Sequence, residues 1–148
     1  MSTQGSGVEG PGMLKTVLNQ LWYRWLDWHF VRFQPQLELA WFEHAAASGR
    51  PRGLRWAHCR WLSGRLLLRE RESGQWWMLR SVNLSFEAIE GGGMEDVAAV
   101  SSLRDACAVF VWSGRSWKSG GRALFNMDPE RAATHLDQSH AICLSVRE

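Results

Sequence analysis

Arginine and tryptophan are the residues of this sequence with the most potential for chemistry at a surface. The chain has ten Trp against one Tyr, and fifteen of its seventeen Lys and Arg residues are Arg. A guanidinium stacks on aromatic rings and makes forked hydrogen bonds to carboxylate or phosphate, which Lys does not. Ten indoles exceed what a core of this size can bury, so we expect some at the surface. A GC-rich genome would favour the same residue types without any function.

The Arg and Trp residues between positions 54 and 80 are predicted to share one antiparallel sheet. Three stretches alternate with a period of two, Leu54–Leu62, Arg65–Arg71 and Gln75–Ile89. They are separated by Ser63-Gly64 and Ser73-Gly74, which are typical of two-residue hairpin turns. Because side chains alternate between faces, this register predicts three rows on one face and a core on the other. The rows are Trp56–Arg71–Trp76, His58–Arg69–Met78 and Arg60–Leu67–Arg80, and the core side carries Ala57, Cys59, Trp61, Leu66, Leu68, Trp77 and Leu79.

One face of this sheet is therefore a candidate binding surface. Arg71 between two indoles would make cation–π contacts worth about 0.5–2 kcal/mol each. Bases stack on aromatic rings and Arg binds phosphate, so one hypothesis is single-stranded RNA or DNA binding. The alternative is a sheet that is only stiffened by its cross-strand pairs, or one that the N-terminal helices cover. The binding candidates are Trp56, Arg60, Arg69, Arg71, Trp76 and Arg80.

The first predicted helix offers a second candidate surface. Its apolar residues recur at helical spacing, and among them Trp22, Trp25 and Trp28 are candidates for docking a partner, since Trp and Arg dominate interface hot spots. The same side could instead pack on the sheet, or lie in a membrane interface. Few cations accompany it, so membrane binding is the weakest of these alternatives. The full set is Leu14, Val17, Leu18, Leu21, Trp22, Trp25 and Trp28.

Metal and cofactor chemistry has no local motif in this chain, and we expect no cofactor and no metal. His140 and Cys143, three apart in a predicted strand, would point to opposite faces and make poor zinc ligands with His58 and Cys59. The acidic residues around a glycine loop lack the spacing of a calcium site, so a solvated loop is expected. These residues are Glu87, Glu90, Glu95, Asp96 and Asp105.

Catalytic chemistry is equally unsupported by any short motif. Cys59, Cys107 and Cys143 lie far apart in apolar runs. This placement predicts buried free thiols in a reducing compartment, whereas a nucleophilic Cys needs an exposed, electropositive setting. An enzyme whose active site has no local motif remains an alternative.

The order of the elements predicts an α+β fold. Helices are expected from Met13 to about Phe33 and from Gln36 to Ser48, with Pro35 between them. Strands follow, and Asp128 is the expected N-cap of a short helix ending near Leu136, before a last strand, Ala141–Val146. The prediction is two N-terminal helices packed on an antiparallel meander sheet of about five to six strands, with one short late helix. Residues 1–12 are predicted to be a disordered tail and 13–148 a single α+β domain.

Charge and targeting signals restrict the function classes. The net charge of +2 gives no whole-molecule field toward nucleic acid or membrane. We expect a cytoplasmic protein, because no signal peptide or spanning segment is apparent. The leading hypothesis is a non-enzymatic interaction domain that binds a protein partner or itself through exposed Trp and Arg. Single-stranded nucleic-acid binding on the sheet face is the second hypothesis, and an enzyme without a motif is the third.

Overall fold

Two helices begin the fold, as the sequence predicts. The structure is a computed structural model that describes residues 11–48, 51–94, 103–139 and 142–147. Helix α1 is Pro11–Arg32 and helix α2 is Gln34–Ala47. Pro35 lies in the first turn of α2, where its missing N–H would have no helical acceptor. Residues 11 and 12, predicted as tail, belong to α1, and the remainder of that predicted tail lies outside the described residues.

Six strands form one open antiparallel sheet. They are β1 (Leu54–Glu70), β2 (Trp76–Ala88), β3 (Arg104–Trp112), β4 (Trp117–Lys118), β5 (Ala123–Phe125) and β6 (Ile142–Arg147). In space the strands run β4-β3-β2-β1-β6, and β5 pairs with β3. Helix α3 (Pro129–Ser139) precedes the last strand. The predicted α+β class, with an antiparallel meander, two N-terminal helices and a late helix, is therefore confirmed.

The first predicted hairpin turn is wrong. Ser63-Gly64 lies inside the single strand β1, which pairs with β2 along both of its halves. The pairing shifts between Trp61 and Arg65, so residues 62–64 form an irregularity in a continuous strand instead of a turn. Gly64 has a φ of 108°, which a bulge tolerates as readily as a turn does.

The second turn is longer than predicted, and this moves the register by two residues. Residues 71–74 form a four-residue loop closed by hydrogen bonds between Glu70 and Gln75 and between Gly74 and Glu70, each with an N···O distance of 2.9 Å. Trp76 is therefore opposite Arg69, and Met78 is opposite Leu67. The predicted rows through Arg71 do not form.

Helix α3 covers an apolar core on one face of the sheet. Asp128 accepts a hydrogen bond from the N–H of Arg131 through Oδ1, at 2.7 Å, and so caps the helix as predicted. Ala132 and Leu136 of α3 are buried against the central strands. Four of the predicted core residues lie here, and the set is Leu66, Leu68, Trp77, Leu79, Cys107 and Val109.

Helix α2 covers the other face through an aromatic cluster. Trp41 is fully buried and its ring meets Trp56 and Trp61 edge-on, at centroid distances of 5.8 and 5.3 Å. Its indole N–H donates to the carbonyl of Arg122 at 2.8 Å, which satisfies the buried donor. We define the aromatic cluster as Trp41, Phe42, Trp56, Trp61, Phe86, Phe110 and Phe125.

A buried ion pair lies beside the aromatic cluster. The guanidinium of Arg80, on β2, is 3.1 Å from the carboxylate of Glu38, on α2. Gln34 donates a second hydrogen bond to the same carboxylate oxygen at 2.7 Å. The guanidinium carbon is also 5.8 Å from the ring centroid of Trp61. The two charges thus compensate each other, which is the condition for burying them, while Nε of Arg80 is buried without a hydrogen-bond partner.

The described chain divides into two compact units at the junction between α1 and α2. The first extends to Arg32, so that its described part is α1, and the second runs from Phe33 onward. The α2–sheet–α3 arrangement belongs entirely to the second unit. The single domain predicted for 13–148 stays a prediction.

Gly121 is required by the contact between its loop and α2. A Cβ at this position would lie 2.6 Å from the carbonyl carbon of His44, so Gly121→Ala must displace backbone. Gly114→Ala is the matched control, because Gly114 also has a positive φ, 93°, but nothing within 4 Å of its Cβ position. We expect Gly121→Ala to lower the free energy of unfolding by at least about 2 kcal/mol more than Gly114→Ala, measured by urea denaturation. Equal losses would contradict the close approach.

The ion pair between Arg80 and Glu38 predicts a strongly non-additive pair of substitutions. Glu38→Leu leaves a buried guanidinium uncompensated and should lower the free energy of unfolding by about 3 kcal/mol or more. The double variant Glu38→Leu/Arg80→Met removes both charges and should recover most of that loss. Urea denaturation of the two single variants and the double variant completes the cycle. Losses that simply add would show that the two charges do not depend on each other.

Candidate functional site

The sheet face that the sequence offered as a binding surface is largely covered. Trp56 and Trp76 are each only 8% exposed and Arg80 only 5%, so these three candidates do not lie on an open face. Trp56 packs between α2 and the sheet, with Phe42 at 6.0 Å and Phe86 at 5.0 Å between ring centroids. Helix α2 covers this part of the face, which is the second of the two outcomes considered from the sequence.

The three remaining sheet candidates are exposed, but the structure separates them. Arg60 is opposite Asn83 on the α3 face, whereas Arg69 is opposite Trp76 on the α2 face. Arg71 lies in the loop after β1. The guanidinium of Arg69 is 5.5 Å from the ring centroid of Trp76, so the predicted cation–π contact forms with a different Arg. No single surface collects these three cations.

On the α3 face, the part of the sheet formed by residues 58–60, 83–85 and 105 carries polar residues. Its cross-strand pairs include Arg60 with Asn83 and His58 with Ser85, and Asp105 follows beside Asn83 on β3. His58, Arg60 and Asp105 are exposed. Both signs of charge occur here, and no Trp, Tyr or Phe is among these five residues. The set can form polar contacts but offers no ring on which a base could stack.

One further Arg of this region is already paired. Arg55 and Glu87 form an exposed cross-strand ion pair. The hydrogen bond from Arg55, followed by its charge, holds the pKa of the Glu87 carboxyl below its usual range. Two of the Arg charges in this part of the sequence are therefore neutralised, that of Arg55 by Glu87 and that of Arg80 by Glu38.

Helix α1 exposes the three Trp residues that were candidates for partner binding. Trp22 and Trp25 are each 41% exposed and Trp28 is 59% exposed. The rings of Trp22 and Trp25 stack with centroids 5.1 Å apart and an interplanar angle of 17°. His29 extends the row, with its ring 5.2 Å from that of Trp25. The one-turn spacing of a helix produces this alignment.

The exposed Trp residues continue into a larger apolar surface along α1. Four aliphatic residues preceding them on the same side are at least half exposed. Their helical spacing places them in one band along the helix. We define the exposed α1 face as Leu14, Val17, Leu18, Leu21, Trp22, Trp25 and Trp28.

Helix α1 has a second apolar band, and this explains why the sequence alone left the role of the exposed α1 face open. Tyr23, Leu26 and Phe30, spaced by three and four residues, are the buried large residues of this helix. Since α1 is apolar on two sides, periodicity alone does not identify the exposed side. The second band is itself visible in the sequence, and it indicates that one of the two apolar sides of α1 can stay exposed.

Nucleophilic and metal chemistry find no support among the described residues. No group of three His, Cys, Asp or Glu residues there has a metal-binding arrangement. Burial raises the pKa of the Cys59 thiol to about 12, and Glu38 adds to the effect. Burial likewise raises the pKa of Cys107 to about 12. Cys107 is buried and Cys59 half-buried, while the side chain of Cys143 lies outside the description.

These raised pKa values predict slow thiol labelling. At pH 8 a thiol with a pKa near 12 is about 0.01% thiolate, and only the thiolate reacts with iodoacetamide. We expect Cys59 and Cys107 to remain largely unlabelled in the native protein and to react within minutes in urea. Peptide mass mapping distinguishes them from Cys143. Rapid native labelling of Cys107 would contradict its burial.

Comparisons with family models, with curated proteins and with solved structures find no match to this chain. Among the described helices, none has the length and apolar content needed to cross a membrane. Function must therefore be argued from the geometry of the chain itself. Its most unusual feature is the exposed α1 face.

Proposed function

We propose that this chain is a non-enzymatic interaction domain that binds a protein through the exposed α1 face. One observation carries the proposal: seven large apolar side chains of one helix, three of them Trp, are each at least 41% exposed on the same side. At roughly 100 Å² of exposed surface each, the patch approaches 700 Å², above the roughly 300–600 Å² of the largest patch on a typical monomer.

The composition of the exposed α1 face fits protein recognition better than other ligands. Trp is enriched among the residues that contribute most to binding, and it presents large area with few rotatable bonds. An amphipathic helix face of this kind docks into an apolar groove or against another helix through residues at i, i+3, i+4 and i+7. Arg24 and Lys15 flank the face with cations, which suits a polar rim around an apolar centre.

Single-stranded nucleic-acid binding on the sheet is the weaker candidate. Base stacking needs an accessible ring face, and Trp56 and Trp76 are buried. The exposed cations Arg60, Arg69 and Arg71 lie on two faces and a loop. They can contribute to phosphate attraction, but without stacking rings in the same place.

The proposal predicts that polar substitutions on α1 abolish association without affecting the fold. Leu18→Gln/Leu21→Gln places two amides in the middle of the exposed α1 face, and both sites are 56% exposed. Leu39→Gln is the control, because Leu39 is an exposed Leu, 61%, on α2. We expect the α1 variant to lose the complexes that the unmodified chain forms when expressed in its source cells, as measured by affinity co-purification and size-exclusion chromatography.

The control and a folding measurement make this result interpretable. Leu39→Gln should retain every complex, and all three proteins should show the same helix and strand content by circular dichroism. Complexes that survive the α1 substitutions would contradict a role for this face. A chain that forms no complex of any kind would contradict the proposed function altogether.

A further inference from the structure

We infer that the occupant of the exposed α1 face is the α1 helix of a second copy of this chain, packed antiparallel. This inference rests on the proposed function and specifies its partner. Five residues of the face follow a strict spacing of four, three, four and three. They are Leu14, Leu18, Leu21, Trp25 and Trp28. This is the 3.5-residue period by which two helices keep a continuous seam against each other.

The side chains at the two ends of the seam differ in size, and this difference favours the antiparallel arrangement. The N-terminal part of the seam contains only Leu, and the C-terminal part contains Trp25 and Trp28. A parallel in-register dimer would place Trp against Trp at one end and Leu against Leu at the other. The helices would then have to splay, because a close-packed seam combines large and small residues in each layer.

Antiparallel packing combines the two sizes in every central layer. With the axis of symmetry near residue 23, Leu21 faces the partner's Trp25 and Leu18 faces the partner's Trp28. The same two contacts are repeated on the other side of the axis. At the ends, Leu14 meets the stem of the partner's Arg32, whose charged head can reach solvent. Four layers of one Leu and one Trp thus have a uniform thickness.

The residues beside the seam are compatible with this arrangement. Val17 would lie beside the partner's Val31, and Val31 is itself 42% exposed. Trp22 would lie beside its own copy near the axis. Arg24 would approach its own copy at the rim, where solvent and salt screen the repulsion. Lys15 and His29 flank the outer layers on the same side as Trp22.

The area of the exposed α1 face is sufficient for a stable dimer. Two copies that cover their faces completely would remove about 1,400 Å² from water, within the range of roughly 1,200–2,000 Å² of specific interfaces. Trp contributes much of this area, so a helix of 22 residues is long enough. A surface of this size is consistent with dissociation constants in the micromolar range or below.

Sedimentation equilibrium of the purified full chain tests the dimer directly. We expect a reversible dimer whose dissociation constant rises roughly 100-fold in Leu21→Gln, because each dimer then buries two amides in its central layers. Leu39→Gln, on α2, should leave the dissociation constant unchanged. A monomer at all concentrations, or a dimer insensitive to Leu21→Gln, would overturn the inference. If such a monomeric chain still captured another protein through α1, the proposed function would stand with a different occupant.

The orientation is tested by disulfide trapping in a Cys143→Ser background. An equimolar mixture of Leu21→Cys and Trp25→Cys chains should form the mixed disulfide under mild oxidation, since these positions face each other across the antiparallel seam. The raised pKa values of Cys59 and Cys107 keep those thiols from competing. Preferential pairing of Leu21→Cys with itself would overturn the antiparallel arrangement and indicate the parallel one.

Discussion

The contact between Arg80 and Glu38 holds helix α2 against one face of the sheet. It joins the middle of β2 to α2, and a buried guanidinium cannot tolerate the loss of its carboxylate. With α2 held in this place, Trp41 fills the space between Trp56 and Trp61. The α2 face of the sheet is closed as a result. Trp56, Trp76 and Arg80, which made this face attractive as a platform, are buried in its packing, whereas Arg69 stays exposed.

The register of β1 and β2 is what brings Arg80 to Glu38, and it is the part of the fold that sequence signals did not determine. Local sequence signals were sufficient to predict that α2 begins near Pro35 and α3 at Asp128, because these signals act within one turn of the helix. Ser63-Gly64 is different, since a glycine with a positive φ suits both a hairpin turn and a bulge. The choice depends on the pairing of β1 with β2 along its whole length, which is a contact distant in sequence.

This ambiguity also explains why the predicted core divided between two faces. Leu66 and Leu68 follow the irregularity at residues 62–64 and pack under α3. Cys59 and Trp61 precede it and face α2, beside Glu38 and Trp41. The hairpin turn predicted at Ser63-Gly64 places all four on one side. From Cys59 to Arg69 the odd-numbered residues of β1 keep the α2 face and the even-numbered residues the α3 face, on both sides of residues 62–64. Interpreting this one strand as two strands of a hairpin was therefore enough to misplace the candidate site.

Helix α1 differs from the sheet. The helical spacing of its apolar residues was predicted correctly, and only the role of its apolar side was left open. A seam of two heptads is short, since coiled coils recognisable by sequence usually continue for three or four. Leu alone would give such a short seam little area. Trp25 and Trp28 enlarge it, and Trp22 widens it on one side, without lengthening the helix. Six of the ten Trp residues therefore fall into two groups: Trp41, Trp56 and Trp61 fill the space between α2 and the sheet, and Trp22, Trp25 and Trp28 widen the apolar face that we propose for binding.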